Sequence, residues 1–409
     1  MPRDQTPECR REDVLCRARS LLGMILPISK DFAAQATTLE LYAMSVAIRT
    51  SYVLLLLLAL YGVWIHFIAA SGLQNLNDAV QHSRFPDGLR GSSSFTSIRS
   101  IDKHVLSLVI FNLPMVSKES PIASARLFMG EFVASMLVVI MLVAIETARQ
   151  EKRKPYPQCF MWLFLMATAT SAVALPIYCL GNAIPVLKDT RRTQISLSPL
   201  SAVLPGILGV VGGYAIPAAL MFDPFDLGPF VQSKWVAAFS LFPFGVQLIK
   251  VLTRGVISLV PSRTNPSRRY GDEYHVVQLT YFITGAAAVF YHYLAIAYVI
   301  DDPHLSVKGL YLPARTTNSL SGNIFVFLQI DYWLTAAALL LWMYSKLNAY
   351  RPMPSAPLFL TLVFGTLLLG PGGLVAASLI YCERLSFLQS NTAALKKPEG
   401  EVLGRKKLS

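Results

Sequence analysis

The apolar run at residues 322–344, GNIFVFLQIDYWLTAAALLLWMY, is long enough to cross a lipid bilayer and carries a carboxylic acid, Asp331, near its middle. An ionised carboxylate at that depth is costly, so an acid kept there is a candidate functional group. Two alternatives are open: a structural Asp331 hydrogen-bonded to a neighbouring helix, or a span that begins later and leaves the acid near the lipid headgroups. The stretch therefore predicts a membrane helix and a first candidate for chemistry.

The composition of the whole chain is that of a polytopic membrane protein. Of its 409 residues, 54% are hydrophobic and only 15% are charged, and the mean hydropathy is +0.48. A soluble globular domain rarely has this balance. The formal charge of +12 comes from Lys and Arg clusters beside apolar segments, which favours contact with anionic lipid headgroups over nucleic acid. The five cysteines are too scattered to predict a disulfide framework or a metal site.

Further apolar segments join this run and predict an all-α, polytopic membrane helical bundle of about eight transmembrane helices within residues 51–382. Residues 1–50 are basic, and their one short apolar run predicts an interfacial helix. Residues 383–409 are basic and polar, so we expect a disordered tail. The piece at 104–116 is too short to cross alone and is expected to be interfacial or re-entrant. The other spans are predicted at 51–70, 122–145, 159–180, 199–221, 235–252, 276–300 and 357–381.

Several catalytic signatures are missing from the chain. It has no HExxH, GxSxG, P-loop or GxGxxG motif, so zinc hydrolysis, serine hydrolysis through that motif and nucleotide chemistry have no sequence support. Magnesium-dependent ionisation of a prenyl diphosphate needs clustered carboxylates. Neither Asp301 with Asp302 nor Asp223 with Asp226 forms a DDxxD cluster. We therefore expect no metal and no other cofactor.

Isolated carboxyl groups among aromatic residues remain as the candidate chemistry. Burial disfavours the ionised form, so Asp331 or Glu131 could stay protonated and act as a Brønsted acid. Protonation of an epoxide or an alkene leaves a carbocation, which needs a dry site and the electron-rich faces of aromatic rings. Thr335 lies on the same helical face as Asp331 and could hydrogen-bond the protonated acid. The aromatic candidates for this lining are Trp235, Phe239, Phe242, Phe244, Tyr291, Tyr293, Tyr332 and Trp333.

Each candidate also has a structural interpretation. Glu131 could lie at a frayed helix end near the headgroups, and Asp223 could cap a turn before Pro224. His292, between two tyrosines, is more often a buried core histidine, although it could orient an acid or accept the final proton. Aromatic residues at membrane depth commonly pack or anchor at the interface. The aromatic residues suggest catalysis only because they occur together with buried acids.

Several short segments between residues 199 and 344 carry a family resemblance. They are FDPFDLGPF at 222–230, KWVAAFSLFPF at 234–244, YHYLA at 291–295, IDDPHL at 300–305 and FLQIDYWLTAAALLLW at 327–342. Together they resemble the fungal integral-membrane terpene cyclases of meroterpenoid and indole-diterpene pathways, such as those of the ascofuranone, ascochlorin and macrophorin routes.

The resemblance implies acid-initiated, metal-free cyclisation of a small hydrophobic prenylated substrate. In that family an acid protonates the terminal epoxide or olefin of a farnesyl or longer chain attached to an aromatic or cyclohexenone head. Asp331 is implied as the first choice for the acid, Asp223 as the second, and Glu131 as a partner in a Glu–Asp pair. The resemblance also implies a multi-pass protein of the endoplasmic reticulum that works after a prenyltransferase and an epoxidase of the same pathway.

A proton-coupled transporter or exporter of a hydrophobic metabolite is the alternative interpretation. In it, Asp331 and Glu131 would be proton-coupling sites. The lack of an evident internal repeat argues against transport, and the aromatic content favours cyclisation. A receptor or scaffold without chemistry is a third hypothesis.

Overall fold

The computed structural model describes residues 29–150, 158–188, 200–259, 266–314, 317, 319–350 and 355–395. Within these residues all regular elements are helical, which confirms the predicted all-α fold class. The α-helices are α1 (Ser29–Ala59), α2 (His66–Ala69), α3 (Gly72–Gln81), α4 (Arg99–Val116), α5 (Ala125–Gln150), α6 (Gln158–Ala169), α7 (Ser171–Lys188), α8 (Leu200–Val210), α9 (Ile216–Leu220), α10 (Pro229–Ser240), α11 (Phe242–Ser258), α12 (Pro266–Asp301), α13 (Val307–Tyr311), α14 (Leu320–Tyr350) and α15 (Ser355–Leu395). Turns of π-helix join α1 to α2 at Leu60–Ile65 and α8 to α9 at Val211–Ala215, and a 3₁₀ turn covers Pro86–Gly88.

Six helical segments of the described chain are long and apolar enough to cross a membrane. Each overlaps one predicted span, because length and hydropathy alone identify an unbroken membrane helix. The segments are Ser45–Ala69, Ala125–Arg149, Leu200–Leu220, Asp272–Asp301, Leu320–Tyr350 and Ala356–Leu388.

The two other predicted spans, 159–180 and 235–252, are each broken into two helices. Helices α10 and α11 meet at an angle of 70°, and counting this bent pair as one span raises the number to seven. Pro243 lies at the start of α11, where its missing N–H costs nothing. Helices α6 and α7 meet at Thr170, within the span predicted at 159–180, and the predicted count of eight is approximate.

Helix α5 is at the centre of the bundle. Of its apolar window 89% is buried, more than in any other described span, and it packs against α8, α12 and α15. Helix α14 packs against α7 and α15. The two predicted acids, Glu131 on α5 and Asp331 on α14, are therefore both in the interior of the helical bundle.

A close contact between α11 and the π-helical turn at Val211–Ala215 depends on Gly213. A Cβ at this position would lie 2.2 Å from the backbone nitrogen of Val246, so no larger residue fits without moving one of the two segments. The contact brings Tyr214 and Phe242 together, with ring centroids 5.2 Å apart. Gly213 thus serves packing within this chain.

The chain divides into two compact units, Met1–Thr50 and Ser51–Ser409. The interfacial helix predicted within residues 1–50 involves an apolar run that lies outside the described residues, as do residues 396–409 of the predicted tail. Helix α15 continues to Leu395, beyond residue 382, where the bundle was predicted to end.

Candidate functional site

A cavity of about 290 Å³ lies between the helices, and Asp331 is on its wall. The cavity is mostly apolar, and Asp331 is the only carboxylic acid among the described residues that line it. A well-formed apolar pocket with a few polar groups is the usual form of a small-molecule site. The other polar residues of the lining are Ser107, Asn112, Thr168, Thr170, Ser171, Tyr214 and Ser240.

One wall of the cavity is an aromatic cluster centred on Phe327. Its ring makes edge-to-face contacts with Trp64, Phe67 and Phe111, at centroid distances of 5.6, 5.2 and 5.3 Å. Edge-to-face packing fixes the ring orientations beyond what burial alone provides. Phe327 precedes Asp331 by about one helical turn on α14, so the acid and these rings line the same cavity.

A second aromatic cluster lines the cavity from α10, α11 and the π-helical turn. The ring centroid of Tyr214 lies 5.4 Å from that of Phe239 and 5.2 Å from that of Phe242. The hydroxyl of Tyr214 donates to the backbone oxygen of Val133 at 3.0 Å. Phe239 and Phe242 are the two members of the predicted aromatic lining that line the cavity with Asp331.

The carboxyl group of Asp331 is 4% exposed and is held through one of its two oxygens. Its Oδ1 accepts hydrogen bonds from the backbone N–H of Ala172 at 2.6 Å and from the hydroxyl of Ser171 at 3.0 Å. Thr335 Oγ1 lies 3.5 Å from Oδ1 and 2.8 Å from Ser171 Oγ. In the described chain, every hydrogen bond to this carboxyl within 3.5 Å ends on Oδ1. Oδ2 is thus the oxygen on which a protonated Asp331 would carry its hydrogen.

The break between α6 and α7 creates the binding site for this carboxyl. Thr170, at the break, has a φ of 81°, which is an outlier for a β-branched residue. The first N–H groups of a helix have no partner within the helix. The N–H of Ala172 is one of them, and it donates a hydrogen bond to Asp331. Strained backbone of this kind clusters at functional sites. Asp331 therefore joins α14 to the start of α7, in addition to lining the cavity.

Glu131, itself fully buried, lies on α5 in a separate hydrogen-bond cluster. It accepts from the hydroxyl of Tyr332 at 2.5 Å, from the hydroxyl of Tyr311, and pairs with Nδ1 of His292 at 2.8 Å. Burial, together with the charge of Glu131, raises the pKa of Tyr311, which keeps this phenol protonated and able to donate. Glu131 is not among the described residues that line the cavity of Asp331.

His292 is fixed on both sides of its ring. Its Nε2 lies 3.2 Å from the backbone oxygen of Leu367, which can only accept, so this nitrogen carries a hydrogen. The ring lies against Gly370, whose φ of 68° interrupts α15 before Pro371. The Glu131 cluster thus ties together α5, α12, α13 and α14. The cluster adjoins the cavity through Tyr332, whose ring packs edge-to-face on that of the cavity residue Phe132, with the ring centroids 6.2 Å apart.

Asp223, the second predicted acid, lies in the turn that follows α9. Its Oδ1 accepts from the backbone N–H of Leu227 at 2.7 Å, and its Oδ2 from that of Gly228 at 3.3 Å. This is the turn-capping role that was its structural alternative. Of the three predicted carboxyl groups, the structure therefore brings only Asp331 to the cavity. Among the described residues, no group of three His, Cys, Asp or Glu side chains could hold a metal ion.

The other predicted aromatic residues have different surroundings. Tyr332 belongs to the Glu131 cluster, and Trp333, 39% exposed, donates through Nε1 to the backbone oxygen of Tyr311 at 2.6 Å. Tyr293 and Phe244 are exposed, whereas Trp235 and Tyr291 are half-buried, and none of these four lines the cavity in the described structure.

Helix α4 supplies part of the wall that the sequence did not predict. The segment at 104–116 was expected to be interfacial or re-entrant, yet its helix is largely buried and contributes Leu108, Phe111 and Asn112 to the cavity. Phe111 and Asn112 follow Leu108 by three and four positions, so each lies on the same helical face as Leu108. That spacing was the available signal, although nothing in it shows that the face meets α14.

The known proteins that are similar to this chain point to one family. The profile of the CtvD domain matches residues 48–387. The chain is 29% identical over 360 residues to the terpene cyclase resF of Aspergillus sclerotiorum, covering 85% of this chain and 97% of the relative. It is 29% identical over 326 residues to the terpene cyclase rstn5 of Aspergillus nomiae, covering 78% and 89%, and 27% identical over 325 residues to a terpene cyclase of Pyrenophora dematioidea, covering 78% and 90%. No solved structure matches the chain.

Proposed function

The chain belongs to the CtvD domain family, and on this premise we propose that it is a membrane-embedded terpene cyclase in which Asp331 is the initiating acid. The observation that carries the proposal is a buried carboxyl group on the wall of an aromatic cavity, with one of its oxygens held by Ala172 and Ser171. The similar proteins named terpene cyclases support the reaction class.

The proposed reaction begins with proton transfer from Asp331 to the terminal epoxide oxygen, or to the terminal olefin, of a prenylated molecule. In the epoxide case the C–O bond breaks as the oxygen becomes a hydroxyl, and the neighbouring alkene supplies the electron pair for the new ring bond. The last cation loses a proton to a base, and the carboxylate of Asp331 is reprotonated before the next turnover. A positioned general acid of this kind accelerates a reaction by about 10²–10⁴-fold.

The aromatic walls suit the cationic intermediates. A cation over the face of a ring is stabilised by about 2 kcal/mol when both are desolvated. Phe327 and Trp64 offer rings on one side of the cavity, and Phe239 and Phe242 on another. The apolar lining also keeps water away from the cation, which favours ring closure over capture by water.

The proposed substrate is a meroterpenoid or indole-diterpene precursor with a farnesyl or longer chain on a polar head. A prenyltransferase must attach that chain, and an epoxidase must supply the epoxide where one is used. The proposal places the enzyme in the endoplasmic reticulum membrane as a multi-pass protein and requires no metal and no cofactor. The alternative is a proton-coupled exporter of a hydrophobic metabolite.

Membranes from cells that express the chain provide the test. They are incubated with a phenol that carries a terminally epoxidised farnesyl chain, in the presence of a chelator, and membranes without the chain serve as the control. The proposal predicts a cyclic isomer of unchanged mass, separated by chromatography and identified by its new ring hydroxyl. A diol that has gained water, or unchanged substrate accumulated inside sealed vesicles, would contradict it, and the second result would support the exporter.

A further inference from the structure

A second polar side chain on the cavity wall, Asn112 of α4, is not used by the proposed chemistry. It is half-buried and lies on a different helix from Asp331. Its Nδ2 donates to the backbone oxygen of Leu108 at 3.0 Å and to Ser240 Oγ at 3.2 Å. These two bonds take both hydrogens of the carboxamide nitrogen.

The orientation of this carboxamide follows from its neighbours. The backbone oxygen of Leu108 can only accept, and the hydroxyl of Ser240 gives its hydrogen to the backbone oxygen of Val236 at 2.8 Å. Ser240 Oγ is therefore an acceptor toward Asn112, so the nitrogen must face both partners and the oxygen must point away from them. No hydrogen bond within the described structure ends on Asn112 Oδ1, which leaves a fixed acceptor on a residue that lines the cavity.

We infer that Asn112 Oδ1 accepts a hydrogen bond from a hydroxyl or N–H group on the polar head of the substrate, an assignment that rests on the proposed function. A bound molecule then has two polar contacts, one with Asn112 and one with Asp331, and an apolar body between the aromatic clusters. An apolar chain can slide along such walls, whereas a hydrogen bond at one end fixes which carbon lies at the acid.

The inference specifies the substrate class more narrowly than the proposed function does. The head must carry a hydrogen-bond donor, because Asn112 presents an acceptor that water or a ligand must satisfy. A head that is fully alkylated and has no donor leaves the carboxamide oxygen unpaired.

Binding of unreactive probes tests the inference without turnover. Hexahydrofarnesol and its methyl ether share one saturated chain and differ in the donor. Their binding to the full chain in lipid nanodiscs is measured by tryptophan fluorescence, because Trp64 lines the cavity, and Trp64→Phe identifies the signal from this residue. The unaltered protein should bind the alcohol about tenfold more tightly than the ether, as expected for one hydrogen bond to an acceptor that otherwise stays unpaired.

Two variants test whether the preference for the alcohol depends on Asn112. Asn112→Leu should weaken binding of the alcohol about tenfold and leave the ether unchanged, so that the preference disappears. Thr361→Val is the control, because Thr361 is not among the described residues that line the cavity and its hydroxyl donates to the backbone oxygen of Pro357 at 2.8 Å, so this variant should keep the preference.

Equal binding of the two probes by the unaltered protein would overturn the inference, even if Asn112→Leu failed to fold. A preference that persisted in a folded Asn112→Leu would overturn it as well. Failure of the proposed function is a separate result: the alcohol is preferred, yet the epoxidised substrate is never cyclised.

Discussion

Replacing Asp331 by asparagine is expected to lower the rate of cyclisation about a thousandfold and to leave the fold intact. The amide oxygen can take the place of Oδ1 and accept from Ala172 N–H and Ser171 hydroxyl, so the start of α7 stays capped. The amide nitrogen replaces Oδ2, and it cannot supply an acidic proton to an epoxide or alkene. The loss expected for removal of a general acid is about 10²–10⁴-fold.

The measurement is the initial rate of product formation per folded protein, with the thermal unfolding midpoint recorded in parallel. Asp223→Asn is the matched control, because its carboxyl binds the backbone of a turn away from the cavity, and its rate should stay within a few-fold of the unaltered chain. Full activity of Asp331→Asn would identify another group as the acid. Loss of folding in this variant would show that Asp331 acts chiefly as a helix cap.

Replacing Arg149 by methionine is expected to cause the largest loss of stability. Arg149 donates from Nε to Glu273 at 2.8 Å and through its two terminal nitrogens to Glu383 at 2.6 and 3.1 Å, and all three residues are buried. The guanidinium joins α5, α12 and α15. Removing it leaves carboxylates in the interior without this partner, which typically costs about 3–5 kcal/mol.

Thermal unfolding in detergent, followed by size-exclusion chromatography, checks this expectation. Lys118→Met is the control, since Lys118 and Asp226 form an ion pair at the exposed surface that should contribute little. The midpoint should fall by several degrees for Arg149→Met and hardly change for Lys118→Met. Equal midpoints for the two variants would mean that the buried network does not stabilise the bundle.

The membrane helices were predictable from the sequence because each unbroken span is long, apolar and nearly free of charge. The break at Thr170 was not, because no proline or glycine lies at that position and the left-handed φ of 81° is stabilised by contacts from α14. The bend between α10 and α11 was signalled by Pro243, whose effect is local. Hydropathy and proline positions could therefore be recognised in the sequence. The capping of one helix by a side chain of another could not.

In the candidate site, too, some features were predictable from the sequence and others depend on tertiary packing. Asp331 stood out because a carboxyl group in an apolar run is costly. Glu131 stood out for the same reason, yet two phenol donors and the His292 ring surround it and it lies behind the cavity wall. A sequence shows that an acid is buried but gives no information about whether it faces a cavity or a set of donors. Asn112 lies in the short apolar segment at 104–116, and its role could not be predicted from the sequence because it depends on the packing of α4 against α10.

The most direct test of the central claim is the infrared absorption of protonated carboxyl groups in the purified protein at neutral pH. If Asp331 is the protonated acid, the spectrum contains a carboxylic acid band that shifts in heavy water. This band is lost in Asp331→Asn and persists in Asp223→Asn. Absence of the band from the unaltered protein, or an identical band in Asp331→Asn, would show that Asp331 holds no proton to donate and would contradict the account.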